Sequence, residues 1–407
     1  MKKSSSFSPW ETPPFLNKKK SSSFSPWETP PFLNKKKSSS FSPWETPPFL
    51  NKKKSLSTKT KAIKKIQTFF KNKAKPILLP FINRVSANIN DRINYSKKIT
   101  KLFTKYLPND NWNQCIQSYV SNHKLMFKLG DNIILKNEIG SPSVYGIVYF
   151  GRFKNEKLFK FAAKLFYWDT GEIYEFKILQ ILTNAVFDNK CPHFPIYYAY
   201  SWCDKYNPND ILPELIIDNI KNDKKEFCII FNELANGDLK SFNNLNYSND
   251  EYYNSIFQII ISIFFYYDFI KGFHNDTHAG NFLYHKIKKG GYYHYIILGN
   301  HYYLKNLGYL WIIWDFSFTT PFNSNSNSNG NSNITRDIKQ IIDSGFRYSS
   351  LQIIKDIKKI CDIKPSNLNL FLNNLLSVFI NFNIILSTPP SNSYIINYNN
   401  PYIIYSF

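Results

Sequence analysis

The pattern of apolar and polar positions changes along the chain, predicting strands first and helices later. Short apolar runs bounded by turn residues predict β-strands at 133–135, 146–150, 159–165 and 227–231. Residues 174–182 have apolar positions at helical spacing, and residues 252–269 form a longer, mostly apolar helical pattern. The order predicts an α+β chain in which a small strand-rich part precedes a larger helix-rich part.

Residues 1–54 have no helical or strand period and consist of a repeat. The unit KKSSSFSPWETPPFLNK recurs every 17 residues in three identical copies that begin at Lys2, Lys19 and Lys36. Paired prolines and serine triplets do not favour a packed solenoid, so we expect a disordered basic tail. Its lysines beside Trp and Phe could bind anionic membrane surfaces or nucleic acid. A tandem duplication without a role is the alternative.

Residues 55–125 stay basic but gain apolar positions at helical spacing. One helical face carries Ile63, Ile66, Phe69 and Phe70, and another carries Ile99, Leu102, Phe103 and Tyr106. We therefore expect a basic helical extension that docks onto the domain that follows. Membrane or nucleic-acid contact is the alternative.

Charge and composition separate this basic region from a nearly neutral body. The net charge of +22 over 407 residues falls almost wholly in residues 1–130, which carry a balance of +21. Hydrophobic residues make up 43% of the chain, which excludes disorder of the whole. No basic patch on the globular part follows from the total charge.

The cysteines and the apolar runs bear on the compartment. Five cysteines are scattered and none forms a CxxC pair, so we expect no disulfide framework, no structural metal and a reducing, intracellular compartment. The basic start of the chain continues into Ser, Pro and Trp, which does not predict a signal peptide. The apolar run at 256–270 is interrupted by polar residues, favouring a buried helix over a transmembrane segment.

The segment FHNDTHAGNFL, directly after the long apolar helix, carries the strongest chemical signal. It places Asp276 two residues after His274, and Asn281 five residues after Asp276. Phosphoryl transfer to a hydroxyl needs a carboxylate that orients the nucleophile, and oxygen ligands for Mg²⁺. Asp276 fits the first role and the side-chain carbonyl of Asn281 the second. Asp315, at the end of the apolar run YLWIIW, is a further candidate metal ligand.

A lysine in an apolar strand needs an anionic partner, and Lys164 in FKFAAKLF is such a lysine. The phosphates of ATP together with a glutamate on the next helix would serve. We expect Glu175 to be that glutamate, with Glu172 as the alternative.

Taken in this order, the residues resemble the protein kinases. The strand lysine, the helix glutamate, the HxDxxxxN loop around Asp276 and the Asp-Phe pair at Asp315 match over residues 126–345. The bias toward Asn, Ile, Lys and Tyr is similar to that of serine/threonine kinases of giant DNA viruses of the mimivirus type. The resemblance implies a bilobal protein-kinase-like fold, with one lobe at 126–236 and the other at 237–407.

The resemblance also implies the cofactors, ATP and Mg²⁺, and the site residues. Catalytic roles would fall to Asp276, Lys164, Glu175 and His278, and metal binding to Asn281 and Asp315. The ATP site would include Gly140, Ser143, Gly146, Val148, Ala162, Lys164, Glu233, Ala235 and Asp238. Within it, Glu233 and Ala235 would belong to the hinge that offers backbone groups to adenine, and Asp238 would bind the ribose.

Four departures from the kinase pattern affect the expected function. Pro142 and Ser143 replace the middle glycine of the phosphate loop. Asn275 stands where an arginine would receive a phosphorylated activation loop. His278 takes the place of the catalytic-loop lysine, as in aminoglycoside phosphotransferases. No Ala-Pro-Glu motif follows Asp315.

Two architectural details are expected after the catalytic loop. The long gap between Asn281 and Asp315, punctuated by Gly290, Gly291 and Gly299, predicts an enlarged hairpin. Beyond the Asn/Ser tract, a helix is expected to fill the centre of the second lobe with Asp337, Ile338, Ile341 and Ile342.

Three functions remain open on the sequence alone. The first is a protein kinase acting on Ser/Thr, favoured because the lysine, both aspartates and the asparagine are all present. The second is a small-molecule kinase, and the third is a pseudokinase scaffold tethered by its basic tail. If the protein is viral, we expect it in the host cytoplasm or the virion.

Overall fold

The computed structural model describes residues 88–107, 116–121, 124–140, 146–167, 170–203, 227–245, 247–322, 330–346, 351–363 and 367–405. All of them belong to one compact unit, Leu79–Phe407. The 17-residue repeats and the helical face predicted around Ile63 lie outside the described residues.

The strand-rich part is a seven-stranded antiparallel sheet. Its strands are β1 Ile116–Ser121, β2 Lys124–Leu129, β3 Ile133–Glu138, β4 Ile147–Phe153, β5 Lys160–Tyr167, β6 Tyr197–Cys203 and β7 Phe227–Asn232. Their order is β1-β2-β3-β4-β5-β7-β6. All six residues of β7 are buried, in agreement with its apolar run FCIIF.

Helix α1, Ile89–Tyr106, belongs to this part rather than to a separate extension. Asn88 caps it by accepting a hydrogen bond from the backbone N–H of Asn90. Its buried face packs on the sheet through Phe103, whose ring centroid lies 4.6 Å from that of Phe231 and 4.9 Å from that of Phe153. The expected docking is confirmed for α1. Both α1 and β1 fall within residues 55–125, for which the sequence predicted an extension, and β1 pairs with β2 in the sheet.

Between β5 and β6 lies helix α2, Thr170–Phe187. The helix-rich part then begins with β8 Gly237–Asp238 and the short helix α3, Leu239–Phe242. It continues with α4 Asn249–Tyr266, a π-helical turn at Tyr267–Lys271, and β9 Gly272–Phe273. A capping box between Ser248 and Glu251 fixes the start of α4. The α+β class and the order of strand-rich and helix-rich parts are confirmed.

One described helix, Asn249–Lys271, is long and apolar enough to span a bilayer by length and composition alone. However, 78% of its apolar window is buried inside the protein. Such burial is typical of a core helix, as the sequence predicted for this run.

The enlarged hairpin predicted between Asn281 and Asp315 is confirmed, and its strands contribute to two further sheets. Strands β10 Phe282–Lys286 and β13 Tyr309–Ile313 pair antiparallel, in a sheet of order β13-β10-β8. Between them, β11 Tyr292–Ile297 and β12 Asn300–Lys305 form a hairpin whose turn places Leu298 and Gly299 at positive φ. The hairpin joins the later strands in the order β15-β12-β11-β16, where β15 is Ile385–Leu386 and β16 is Tyr402–Tyr405.

The remaining elements are β14 Thr320–Pro321 and the helices α5 Gly330–Gly345, α6 Gln352–Asp362 and α7 Leu368–Asn381. On α5, Ile338, Ile341 and Ile342 are completely buried. The predicted helix at the centre of this part is therefore confirmed.

The described cysteines comprise three free residues and one disulfide-bonded residue. Cys191, Cys228 and Cys361 are free and buried, but Cys203 is disulfide-bonded. One disulfide-bonded residue among the described cysteines is not a disulfide framework, and the reducing, intracellular compartment stays a prediction.

Candidate functional site

An ion cluster joins the sheet to the helix-rich part at Lys164. The Lys164 ammonium lies 2.7 and 2.8 Å from the two carboxylate oxygens of Glu175 on α2. It also lies 3.1 Å from Oδ1 of Asp315, which follows strand β13 closely. The structure thus pairs Lys164 with Glu175, while the side chain of the alternative, Glu172, lies outside the described residues.

Burial and the neighbouring charges both shift the pKa values of this cluster. Burial alone would lower the pKa of Lys164, but the carboxylates of Asp315 and Glu175 outweigh it and raise that pKa. Burial raises the pKa of Glu175 against the effect of Lys164, and the Asp315 carboxylate adds to the rise. Burial would also raise the pKa of Asp315, but the Lys164 ammonium holds it below its ordinary value. The Lys164 ammonium therefore stabilises the ionised form of Asp315 more than that of Glu175.

Ser317 is a member of the cluster that sequence reasoning missed. Its hydroxyl lies 2.7 Å from Oε2 of Glu175 and 2.9 Å from Oδ1 of Asp315, and it can donate its single proton to either. In the sequence, Ser317 simply follows Asp315 and Phe316. Nothing in the local pattern indicates a partner 142 positions away.

Asp276 and Asn281 of the catalytic loop contact each other and the chain segment just before Asp315. The amide nitrogen of Asn281 donates to Oδ2 and to the backbone carbonyl of Asp276, both at 2.9 Å. The backbone carbonyl of Asn281 accepts a hydrogen bond from Trp314, the residue before Asp315, at 2.8 Å. These contacts hold Asp276 and Asn281 close to the segment that carries Asp315.

His274 is a buried structural residue of this loop. Its Nδ1 accepts from the backbone N–H of Asp276, so its Nε2 donates to the carbonyl of Trp314 at 3.0 Å. Burial lowers the pKa of His274, and both ring nitrogens are occupied. The ring also lies against Phe316, at a centroid distance of 5.6 Å.

Asp337 on α5 fixes the backbone of the catalytic loop. Its two carboxylate oxygens accept hydrogen bonds from the backbone N–H groups of His274 and Asn275, each at 3.0 Å. Burial raises the pKa of Asp337 to about 6. Asn275 adopts a positive φ of 64°, a conformation that these two bonds stabilise. The sequence placed Asp337 on a helix but did not predict this contact.

His278 lies on the solvent side of Asp276. Its Nδ1 accepts from the backbone N–H of Gly280 at 3.0 Å, which leaves the proton of the neutral ring on Nε2. That nitrogen lies 3.5 Å from Oδ2 of Asp276, and the His278 side chain is 41% exposed.

Glu233 and Asp238, two of the predicted ATP-site residues, have side chains that contact other parts of the protein. The Glu233 carboxylate is bound by Arg92 of α1, with Nη2 at 2.7 Å and Nε at 3.1 Å. The Glu233 backbone N–H donates to the carbonyl of Ile196. Asp238 caps α3 by accepting from Ser241 at 2.7 Å, so one of its oxygens is already used. Around Ala235, the structure assigns no hydrogen bond to the backbone N–H among the described residues.

The phosphate-loop candidates are described only in part. Gly140 has a positive φ of 81°, while Ser143 lies outside the described residues. Val148 pairs across the sheet with Lys164, and Ala162 pairs with Asn232. A Cβ at Gly146 would lie 2.8 Å from the carbonyl of Leu165, so β5 approaches this backbone too closely for a side chain.

Asn281 and Asp315 each keep one side-chain oxygen outside the hydrogen bonds of the site. No described donor contacts Oδ1 of Asn281 or Oδ2 of Asp315, because the hydrogen bonds of these residues use their other atoms. An amide oxygen and a carboxylate oxygen are the ligand types that Mg²⁺ prefers. In the described part of the chain, no group of three or more His, Cys, Asp or Glu residues could hold a metal ion.

No protein-family model and no curated protein matches this sequence. Among solved structures, the crystal structure of the BubR1 kinase domain is similar over 74% of this chain and 95% of its own length. The sequence identity is 13% and the TM-score is 0.41. At this level of similarity, a functional conclusion depends on the side-chain geometry alone.

Proposed function

We propose that this protein is an ATP- and Mg²⁺-dependent phosphotransferase with a kinase-like site, which transfers the γ-phosphate to serine or threonine hydroxyls of proteins. The observation that carries the proposal is the Lys164 ammonium held between Glu175 and Asp315, next to the Asp276–Asn281 pair. Four different elements contribute these side chains, and the arrangement matches the needs of phosphoryl transfer.

Each side chain has a role that its contacts support. Lys164 would bind the phosphates, and Glu175 would orient Lys164. Oδ2 of Asp276 accepts from Asn281, so Oδ1, which no described donor contacts, is available to orient the acceptor hydroxyl and take its proton. Asn281 and Asp315 would hold Mg²⁺, which neutralises charge on the phosphates when bound.

A small-molecule kinase is the second candidate, and one observation favours it. Helix α5 begins at Gly330, only a short stretch after Asp315, and no Ala-Pro-Glu motif lies between them. Less chain is therefore present to seat a peptide. A pseudokinase is the third candidate, favoured by the loss of the middle glycine.

The first test is binding of Mg·ATP, measured as thermal stabilisation. A ligand that binds only the native state raises the melting temperature by mass action. We expect a shift at millimolar Mg·ATP and a smaller shift with EDTA. The absence of any shift would refute the phosphotransferase and favour the scaffold.

The second test is phosphate transfer by the Asp276→Asn variant. Loss of a positioned base lowers the rate by about 10²–10⁴-fold, while the Mg·ATP shift should remain because Asp276 does not hold the nucleotide. Asp250→Asn, an exposed carboxylate on α4, is the matched control and should transfer phosphate like the wild type. Full transfer by Asp276→Asn would remove this residue from the mechanism. Radiolabel incorporation into a generic protein, compared with a panel of small hydroxyl compounds, separates the two enzyme candidates.

A further inference from the structure

We infer that the acceptor carries acidic groups beside its hydroxyl, and that Lys240 and Arg336 bind them; this specificity rests on the proposed phosphotransfer at Asp276. The acceptor class would be acidic segments of proteins, in which Asp or Glu flanks the serine or threonine. Three features of the catalytic loop's surroundings support this.

Lys240 brings an exposed cation to the far end of the catalytic loop. It lies on α3, and its ammonium is 3.4 Å from the position that a Cβ would take at Gly280. The same position is 2.9 Å from the ring of His278, so Lys240 and His278 share one small surface. Lys240 forms no ion pair with any described residue. Its charge is therefore available to a molecule that approaches Asp276.

Arg336 brings a second cation to the other end of the loop. It is exposed on α5, and its guanidinium donates to the side-chain oxygen of Asn275, the residue before Asp276. That contact uses one of five N–H donors, and the others remain able to bind a carboxylate. The two cations thus flank Asp276 along the loop.

Carboxylates that could bind a basic acceptor are scarce in this region. Between Asp276 and Arg336 the sequence contains a single acidic residue, Asp315, which is paired with Lys164. The next residue, Asp337, accepts two backbone N–H groups and is buried. Near Lys240, Asp238 is used as the cap of α3. A basic acceptor would meet cations without compensating anions, whereas an acidic acceptor is complementary.

The nucleotide phosphates are the competing partner for Lys240. If Lys240 bound ATP rather than the acceptor, its loss would raise the KM for ATP. If it binds the acceptor, its loss raises the KM for an acidic acceptor and leaves the KM for ATP unchanged. Steady-state kinetics with each substrate varied in turn separates the two roles.

The experiment uses three serine peptides that differ only in the flanking residues, which are Asp/Glu, Ala or Lys. The full-length protein is compared with K240E, R336E and the double variant, and K359E, an exposed lysine on α6, is the matched control. We expect the wild type and K359E to prefer the acidic over the neutral peptide by about tenfold in kcat/KM. Each single reversal should reduce that preference, and the double variant should prefer the lysine peptide.

The outcomes distinguish this inference from the proposed function. Melting temperatures verify that each variant is folded, and R336Q is the milder substitute if R336E is not. Equal turnover of the three peptides would overturn the acidic preference while leaving phosphotransfer intact. A rise in the KM for ATP in K240E would also overturn it. Failure to bind or turn over Mg·ATP would refute the proposed function, and the acceptor inference with it.

Discussion

Two buried glutamates in this protein, Glu233 and Glu175, each pair with a basic side chain, yet their pKa values move in opposite directions. Burial would raise the pKa of Glu233, but Arg92 and then His285 outweigh it and hold that pKa far below its ordinary value. Burial raises the pKa of Glu175, and the Lys164 ammonium does not offset this rise because Lys164 is shared with Asp315. Glu233 thus faces two basic side chains, whereas Glu175 shares a single ammonium with a second carboxylate.

The difference separates a structural pair from a functional one. Arg92 donates to both Glu233 oxygens and to the carbonyls of Pro192 and Phe194, which satisfies most of its N–H groups inside the protein. At Lys164, by contrast, two carboxylates compete for one ammonium, and Asp315 retains an oxygen that no described donor contacts. Such an unbalanced cluster of buried charges is typical of sites that bind charged ligands.

Breaking the Arg92–Glu233 pair should have the largest effect on stability. Arg92→Met leaves the Glu233 carboxylate buried without its main partner, which costs about 3–5 kcal/mol in the free energy of unfolding. Chemical denaturation measures the loss, and Lys97→Met on the exposed side of α1 is the control. A loss below about 1 kcal/mol would show that α1 is not fixed by this contact.

Breaking the Lys164–Glu175 pair should act mainly on function. Lys164→Met removes a charge that would contact the phosphates, so we expect kcat/KM to fall by about 10²–10³-fold. Its stability loss should be less than half that of Arg92→Met, because Glu175 can take up a proton. Both quantities are measured on the same preparation, and Lys160→Met at the start of β5 is the control. Equal stability losses in the two variants would contradict the distinction.

The pH dependence of stability sharpens the comparison. The folded pKa of Glu233 is lowered, so its contribution is complete above its ordinary value of 4.5 and is lost as the pH falls below that value. The folded pKa of Glu175 is raised, so its cost is complete above that folded pKa and is relieved on acidification.

Unfolding curves of Glu233→Gln and Glu175→Gln between pH 7 and about pH 4 measure the two contributions. On acidification, Glu233→Gln should lose less stability than the wild type, and Glu175→Gln should lose more. Identical pH profiles for the two variants would contradict the opposite shifts.

The smallest effect is expected at the solvent side of the site. His278→Gln removes the ring that contacts Asp276 and Gly280, and the loss of one hydrogen bond corresponds to about a three- to tenfold fall in kcat. Stability and the KM for ATP should not change, because the side chain is 41% exposed. A loss as large as that of Lys164→Met would mean that His278 takes part in the chemistry directly.

Much of the architecture was determined by the sequence itself. Short apolar runs located β3, β5 and β7, and helical spacing of apolar residues located α2 and α4, because segments buried in the core must be apolar. Lys164, Asp276 and Asn281 could be singled out as well, since a lysine in an apolar strand and polar residues after a buried helix are locally unusual. The enlarged hairpin before Asp315 followed from its glycines.

Only the tertiary structure decided which of these residues meet and which others join them. Arg92 reaches Glu233 across 141 positions, Ser317 reaches Glu175 across 142, and Asp337 reaches His274 across 63. None of these partners has a local signature, because an arginine, a serine and an aspartate on exposed-looking patterns are ordinary in sequence. Their burial and pairing depend on how α1, β13 and α5 pack against the rest of the protein. A residue's neighbours along the chain do not encode that packing.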